Sequence, residues 1–271
     1  MTSGLLTGTL IAVVLFALIS LVDGWRVTDP LARAWREHGA RLRWGVASAP
    51  ATYIYLGILV VTTWVLLGMP SAAKTAFIED QSTNLMHLSK DPVRVLVRSA
   101  FFVTKRELLV WALLFGLVLA PVERWLGTAR AIAAFAIGHI GATCLTAIDI
   151  WAHIRYMHAP HSLWNTEDTG ASYGFFTLAG VLVHRLRGWT RWALILVLAG
   201  FVVWGFLEGT GPTARGHSVS ILLGLLLYPV TRRAAVRARR GPGRSIVDLW
   251  RPSRADGAPR AFPASGSVPE Q

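Results

Sequence analysis

Apolar residues fall into long runs along the chain, with charged residues, glycine or proline at their ends. A helix needs roughly 20 mostly apolar residues to cross about 30 Å of hydrocarbon, and these runs approach that length. The third run is interrupted by Lys105, Arg106 and Glu107, and the last run is short. The pattern predicts an all-α, polytopic membrane protein. The seven runs are approximately residues 5–22, 46–69, 99–120, 131–150, 170–186, 192–207 and 217–230.

The composition supports a membrane environment and excludes two classes of protein. Of 271 residues, 53% are hydrophobic and 15% are charged, whereas a soluble domain carries roughly 25% charged residues. The net charge is +12, but nine arginines and three acidic residues follow Tyr228. Because the remaining charge is scattered between apolar runs, no nucleic-acid partner is expected. The single cysteine, Cys144, excludes an internal disulfide framework and a thiolate metal cluster.

The arginines predict how the chain is oriented. They concentrate after the first, third, fifth and seventh runs, which all end on the same side of a seven-helix serpentine. By the positive-inside rule this side is cytoplasmic, so the N-terminus is expected outside and the C-terminal tail inside. Residues 1–45 are then an N-terminal transmembrane helix with a basic linker, and residues 46–231 a helical core. Residues 232–271 are rich in Pro, Gly, Ser and Arg, which predicts a disordered cytoplasmic tail that contacts anionic lipid.

Two polar residues at the predicted outer ends of apolar runs suggest chemistry. Ser172 opens the fifth run and His217 opens the seventh. A serine hydroxyl becomes a useful nucleophile when a base takes its proton. Ser220 and Gly224 lie three and seven residues after His217, on the same helix face, and such small residues allow close helix packing. The spacing predicts that the imidazole reaches the hydroxyl. A locally satisfied packing serine and an interfacial histidine are the alternative interpretation.

These residues resemble the motifs of the rhomboid intramembrane serine proteases. That family has a Gly-x-Ser-Gly turn opening its fourth core helix and a His-x-x-Gly-x-x-x-Gly pattern in its sixth. Here Gly170 and Ser172 are similar to the first motif, and His217 and Gly224 to the second, with Ser220 in place of the nearer glycine. Segments 92–94, 99–102 and 122–127 resemble further landmarks of the family, so the resemblance covers roughly residues 46–231.

The resemblance implies a fold, a location and a mechanism. The fold is a six-helix rhomboid-like core with one extra N-terminal transmembrane helix, in a bacterial plasma membrane, with the site open away from the cytoplasm. His217 would deprotonate Ser172, which attacks a peptide carbonyl of a transmembrane client protein, and water would hydrolyse the acyl-enzyme. Phe176 would stack on the His217 ring. The scheme needs neither a cofactor nor a metal, and its partners are client proteins and the lipid bilayer.

The sequence also departs from the family pattern. Glu107 and Trp111 stand where active rhomboids carry the His and Asn that help bind the oxyanion. Losing one such donor costs about 2.7–4 kcal/mol of transition-state stabilisation. Tyr173 stands where the family has the glycine after the nucleophile, and Gly174 comes one residue late. These departures leave open a second interpretation, a proteolytically inactive rhomboid-like protein that binds transmembrane clients.

Two further hypotheses concern the outer loops. Asn165 or Arg215 could replace the lost oxyanion donors, since both belong to loops on the predicted outer side. The segment around Asp149 and His153, which share a helix face, suggests a membrane metalloenzyme as a third interpretation. His158 and His161 complete that set. Because nothing in the sequence defines a second shell of supporting groups, no metal is expected. The oligomeric state is left open.

Overall fold

The computed structural model describes residue 11 and residues 43–103, 105–166, 168, 171–207 and 211–232, with only the backbone for 105, 106 and 212. The expected N-terminal helix at 5–22, almost all of the tail at 232–271, and Gly170 lie outside the described residues. The chain divides into two compact units, residues 1–47 with 247–271, and residues 48–246. Residues 43–47 of the first unit are helical. The second unit holds almost all of the predicted helical core and both candidate catalytic residues.

The described part of the second unit is helical and contains no strand, which confirms the all-α prediction. A short 3-10 helix at His161–Asn165 joins two of its helices. The α-helices are α1 (Pro50–Leu67), α2 (Ser71–Asp80), α3 (Leu85–Lys90), α4 (Pro92–Ser99), α5 (Lys105–Leu117), α6 (Leu119–Leu126), α7 (Thr128–Tyr156), α8 (Ser172–Val183), α9 (Gly188–Leu207), α10 (Pro212–Leu226) and α11 (Tyr228–Thr231).

Four stretches of the described chain are long and apolar enough to cross a membrane. They are Pro50–Leu67, Glu107–Leu126, Thr128–Tyr156 and Gly188–Leu207. Helix α8 is apolar but shorter. These lengths support a membrane protein, whereas the count of six core helices plus one stays a prediction.

The third apolar run differs from its predicted extent because its first residues bond to another helix. Residues 100–103 are not helical. The backbone carbonyls of Ala100, Phe101 and Val103 accept hydrogen bonds from the hydroxyls of Tyr55 (2.5 Å), Thr62 (2.8 Å) and Thr63 (3.2 Å) on α1, respectively. These donors satisfy carbonyls that a helix would otherwise satisfy itself. The run therefore becomes helical later, in α5, and continues through a break into α6.

Helix α8 lies at the centre of the core. Every one of its residues after Ser172 is buried, which is the pattern of a helix that is apolar on all sides. Its 12 residues span about 18 Å at 1.5 Å per residue. This length is shorter than the roughly 30 Å of hydrocarbon. Helix α8 is therefore too short to cross that hydrocarbon by itself.

Small residues bring α8 and α10 into backbone contact. A Cβ atom at Gly180 would lie 2.7 Å from the carbonyl oxygen of Ile221, and one at Gly224 would clash with the carbonyl of Thr177. The Thr177 hydroxyl donates a hydrogen bond to the carbonyl of Ser220 at 2.9 Å. This close approach sets how far apart the side chains at the beginnings of the two helices lie.

Candidate active site

Ser172 is the first residue of α8 and is half-buried. The residue before it, Ala171, is fully buried and has non-helical backbone angles (φ −84°, ψ 2°). The first N–H groups of a helix have no partner within it, so the backbone N–H of Ser172 points out of the helix end. A hydroxyl group and a backbone N–H donor at the helix end are therefore available on one residue.

His217 lies in the second turn of α10, and its ring contacts two aromatic residues of α8. The ring centroids of Phe176 and His217 are 4.5 Å apart, and those of Tyr173 and His217 are 5.6 Å apart in an edge-on arrangement. The Nε2 atom of His217 is buried and has no hydrogen-bond partner among the described residues. The two aromatic contacts place the imidazole beside the first turn of α8, which begins with Ser172.

The hydroxyl of Ser172 and the ring of His217 share no hydrogen bond in the described part of the chain. The structure thus places His217 of α10 beside the first turn of α8, which begins with Ser172. Aromatic rings hold the imidazole, and its Nε2 atom has no hydrogen-bond partner among the described residues. Catalytic hydrogen bonds are often long without substrate and tighten only when substrate binds.

Tyr173 occupies the space between α8 and α10 that a glycine would leave open. Its side chain is 2% exposed, and a Cβ atom at Gly216 would clash with its hydroxyl. That hydroxyl makes no hydrogen bond of good geometry to any described residue. On another side of α8, a Cβ atom at Gly174 would clash with the ring of Phe135 on α7. Gly174, which comes one residue after the position of the family's glycine, is thus required for the packing of α8 against α7.

Asp168 joins the segment after α2, its own loop and the start of α10, and sequence reasoning did not identify it as a site residue. Its backbone N–H donates to the Ser82 hydroxyl at 2.8 Å, and its carbonyl accepts from the backbone and the hydroxyl of Thr83, each at 2.8 Å. The Thr213 hydroxyl at the start of α10 lies 3.4 Å from the carboxylate. Burial raises the pKa of the Asp168 carboxyl, and the hydroxyls of Tyr173, Thr213 and Thr83 partly oppose that rise.

Arg215, offered by the sequence as a replacement oxyanion donor, is paired with α7 instead. Its Nε atom lies 3.1 Å from the Asp149 carboxylate, and its Nη1 atom lies 3.1 Å from Nε2 of His153. Asn165, the other candidate donor, is exposed in the 3-10 helix. These contacts direct the guanidinium to α7.

The same contacts bear on the metal interpretation. Nδ1 of His153 lies 3.3 Å from the Asp149 carboxylate, so both residues already face the guanidinium of Arg215. The ring of His161 stacks on Trp164 with centroids 5.8 Å apart. Among the residues that the structure describes, no group of three or more His, Cys, Asp or Glu side chains is arranged to hold a metal ion.

The two positions where active rhomboids carry oxyanion donors have different surroundings here. Glu107 is exposed near the start of α5. The ring of Trp111, one helical turn later, lies 5.4 Å from the ring of Phe115 and 5.5 Å from that of Phe175. Trp111 is therefore part of an aromatic wall that packs α5 against α8, a structural role that its position in the motif does not indicate.

Comparison with known proteins supports the sequence resemblance. The family model described as rhomboid-like protein matches residues 45–237, which is well over half of the chain. Searches of curated proteins and of solved structures returned no match. The matched span contains helices α1 to α11.

Proposed function

Since the chain belongs to the rhomboid-like family, we propose that it is an intramembrane serine protease that cleaves transmembrane client proteins, with Ser172 as nucleophile and His217 as base. The observation that carries this proposal is the buried Nε2 atom of His217, which has no partner among the described residues. A catalytic role is one of the explanations for a buried polar atom without a partner.

The proposed reaction follows from the chemistry of the two side chains. Nε2 of His217 takes the proton of the Ser172 hydroxyl as Oγ forms a bond to the carbonyl carbon of the client peptide. The oxyanion that results faces the backbone N–H groups at the start of α8. His217 then gives its proton to the leaving amine as the peptide C–N bond breaks. Water, deprotonated by the same imidazole, then attacks the acyl-enzyme, and the imidazole returns that proton to Oγ of Ser172 as the ester C–O bond breaks.

The surroundings of Glu107 and Trp111 support a slow enzyme. Losing one preorganised oxyanion donor typically lowers kcat by 10²–10³, about 2.7–4 kcal/mol. The backbone N–H of Ser172 replaces such a donor only in part. We therefore expect measurable reaction at Ser172 with activated reagents and slow turnover of peptide substrates.

A fluorophosphonate probe tests the nucleophile directly. We expect the full chain in membranes to be labelled at Ser172, and the label to be lost in Ser172→Ala and in His217→Ala. The matched control is Ser162→Ala, which removes an exposed serine of the 3-10 helix and should leave labelling unchanged. An unlabelled wild-type chain, or equal labelling of Ser172→Ala, would overturn the proposal.

A second candidate function is binding of transmembrane clients without cleavage. It is favoured by the packing of Trp111 against Phe115 and Phe175, which makes this position structural. A reporter client with one transmembrane helix distinguishes the two functions. Proteolysis yields fragments with the wild type and none with Ser172→Ala, whereas binding alone yields crosslinked, intact reporter with both proteins.

We further propose that the chain is a multi-pass protein of a bacterial plasma membrane, with its N-terminus outside and its tail cytoplasmic. Arg124 and Arg130 at the α6–α7 junction and Arg185 and Arg187 after α8 lie on the side that this orientation makes cytoplasmic. A reporter that fluoresces only in the cytoplasm, fused after Gln271, should be bright. A dark fusion that is present at normal levels would show that the tail is outside and would contradict the proposed orientation.

A further inference from the structure

An apolar cavity of about 460 Å³ lies between α1, α6 and α7, away from Ser172 and His217. Its volume is within the roughly 300–1,000 Å³ of small-molecule sites. Tyr55 and Phe101 line it on one side, and Phe135 and Leu178 line it on another. The ring of Tyr55 lies 5.5 Å from that of Phe101 and 5.4 Å from that of Phe135, so interlocked aromatic rings form part of the wall.

The polar side chains that line the cavity are already satisfied within the protein. The Tyr55 hydroxyl donates to the carbonyl of Ala100 at 2.5 Å. The Glu123 carboxylate accepts from the backbone N–H groups of Ala51 (3.0 Å) and Thr52 (2.8 Å). It also accepts from the hydroxyls of Thr52 and Thr128, each at 2.8 Å. A water needs two to four polar partners, and an ion needs more, so the lining favours an apolar occupant.

Exposed apolar residues form the rim of the cavity. Ile54 on α1 is 64% exposed and Ile132 on α7 is 53% exposed, and both line the opening. Both helices are long and apolar enough to cross a membrane. The opening between them is thus a lateral slot through which an acyl chain could enter without crossing a polar surface.

Charge at one end of the cavity indicates which lipid would fit. Glu123 and Thr128 line this end, and Arg124 and Arg130 lie next to them in sequence, both half-buried. Arg130 donates from Nη1 to the carbonyl of Leu126 at 3.2 Å, which uses one of its five N–H donors. Basic residues at a membrane surface attract anionic lipid headgroups. The buried Glu123 carboxylate opposes this attraction only in part, because the two arginines carry two positive charges against its one negative charge.

We propose that this cavity binds one acyl chain of an anionic phospholipid, whose phosphate lies against Arg124 and Arg130. The chain fills the slot between α1 and α7. Occupancy would complete the packing of α1 against the rest of the core. This inference is independent of whether Ser172 is a nucleophile.

The test uses the full chain in nanodiscs that contain phosphatidylglycerol with a diazirine near the middle of one acyl chain. After photolysis, we expect crosslinks to concentrate at Ile54, Ile58 and Ile132. Val61 and Ile137 are exposed residues of the same two helices that do not line the cavity, and they should react severalfold less. Even labelling of both groups would mean that only bulk lipid is present and would overturn the proposal.

Two matched variants separate binding from general lipid contact. Ile58→Trp places a larger side chain at the rim of the cavity and should reduce crosslinking at Ile54 and Ile132 severalfold. Ile137→Trp makes the same change outside the cavity and should not. Unchanged crosslinking in Ile58→Trp, or protein–protein crosslinks at these positions from a second copy or from the 5–22 segment, would overturn the proposal.

The headgroup is tested by competition. Unlabelled phosphatidylglycerol should displace the photoactive lipid severalfold better than phosphatidylcholine does, and Arg130→Gln should reduce that preference. Equal competition by the two lipids in the wild type would overturn the anionic part of the proposal.

Discussion

Two buried polar clusters in the same helical unit differ in how completely hydrogen bonds satisfy them. Around Glu123, which is 2% exposed, four donors from α1 and α7 meet one carboxylate. Around His217, the imidazole Nε2 is buried and has no partner among the described residues, and the buried Tyr173 hydroxyl meets the Asp168 carboxylate only with poor hydrogen-bond geometry. A fully satisfied polar network rigidifies a fold, whereas unsatisfied groups persist where the site has another use for them. The difference supports a structural role for the first cluster and the proposed chemical role for the second.

The largest effect is expected at the satisfied cluster. Glu123→Ala removes the acceptor of four hydrogen bonds and leaves buried donors at the start of α1 unpaired. We expect a loss of stability on the order of 3–5 kcal/mol, measured by unfolding in mixed micelles with increasing SDS. Glu123→Gln keeps part of the acceptor and should lose less. If Glu123→Ala were as stable as the wild type, the hydrogen bonds to Glu123 would not stabilise the fold, and the two clusters would not differ in this respect.

The next effect concerns the close approach that positions the second cluster. In Gly224→Ala the new Cβ atom clashes with the carbonyl of Thr177, and such overpacking typically costs about 1–3 kcal/mol. Gly200→Ala on α9 is the control, since a Cβ atom there meets nothing within 4 Å. We expect the control to be neutral or slightly stabilising, because alanine is a better helix former than glycine. Equal behaviour of the two variants would contradict the backbone contact between α8 and α10.

A pair of tyrosines tests the difference in hydrogen bonding with one chemical change. Tyr55→Phe removes a hydroxyl that donates to the carbonyl of Ala100 and should cost about 1 kcal/mol. Tyr173→Phe removes a buried hydroxyl whose contact with the Asp168 carboxylate has poor hydrogen-bond geometry and should leave stability unchanged or raise it by up to about 1 kcal/mol. The same SDS titration measures both variants. A larger loss in Tyr173→Phe than in Tyr55→Phe would show that the Tyr173 hydroxyl is bonded.

The smallest effect is expected at the neighbouring ion pair. Arg215 and Asp149 are partly exposed, with side-chain exposures of 26% and 37%. Exposed and partly exposed pairs contribute roughly 0–1 kcal/mol. Arg215→Gln should therefore change stability by no more than about 1 kcal/mol. It should also leave fluorophosphonate labelling of Ser172 unchanged, because the guanidinium is paired with α7. A strong loss of labelling would instead indicate that Arg215 helps to bind the oxyanion.

Part of the candidate site could be predicted from local sequence alone. Ser220 and Gly224 share a helix face with His217 because helical spacing places residues i+3 and i+7 on that face. The structure adds the position of Tyr173, whose ring lies edge-on to the imidazole, and the reason for Gly174, which faces Phe135. Neither contact follows from spacing, since each depends on how a second helix is rotated.

Asp168 shows where sequence reasoning ends. Its hydrogen bond to the hydroxyl of Ser82 joins residues 86 positions apart, and its contact with Thr213 spans 45 positions. Ser82 lies just after α2 and Thr213 lies in the first turn of α10, and no local sequence signal indicates that they meet. The break in the third apolar run has the same origin, because donors on α1 satisfy carbonyls about 40 residues away.

The amino-acid sequence by itself determined the helical class, the membrane environment and the family of this protein. These follow from run length, low charge and short motifs, which are properties of neighbouring residues. Only the tertiary structure decided which polar groups are paired and which are left open. Hydrogen bonding between distant segments depends on helix rotation and depth to within an ångström or two, and the order of residues along one helix does not specify those quantities.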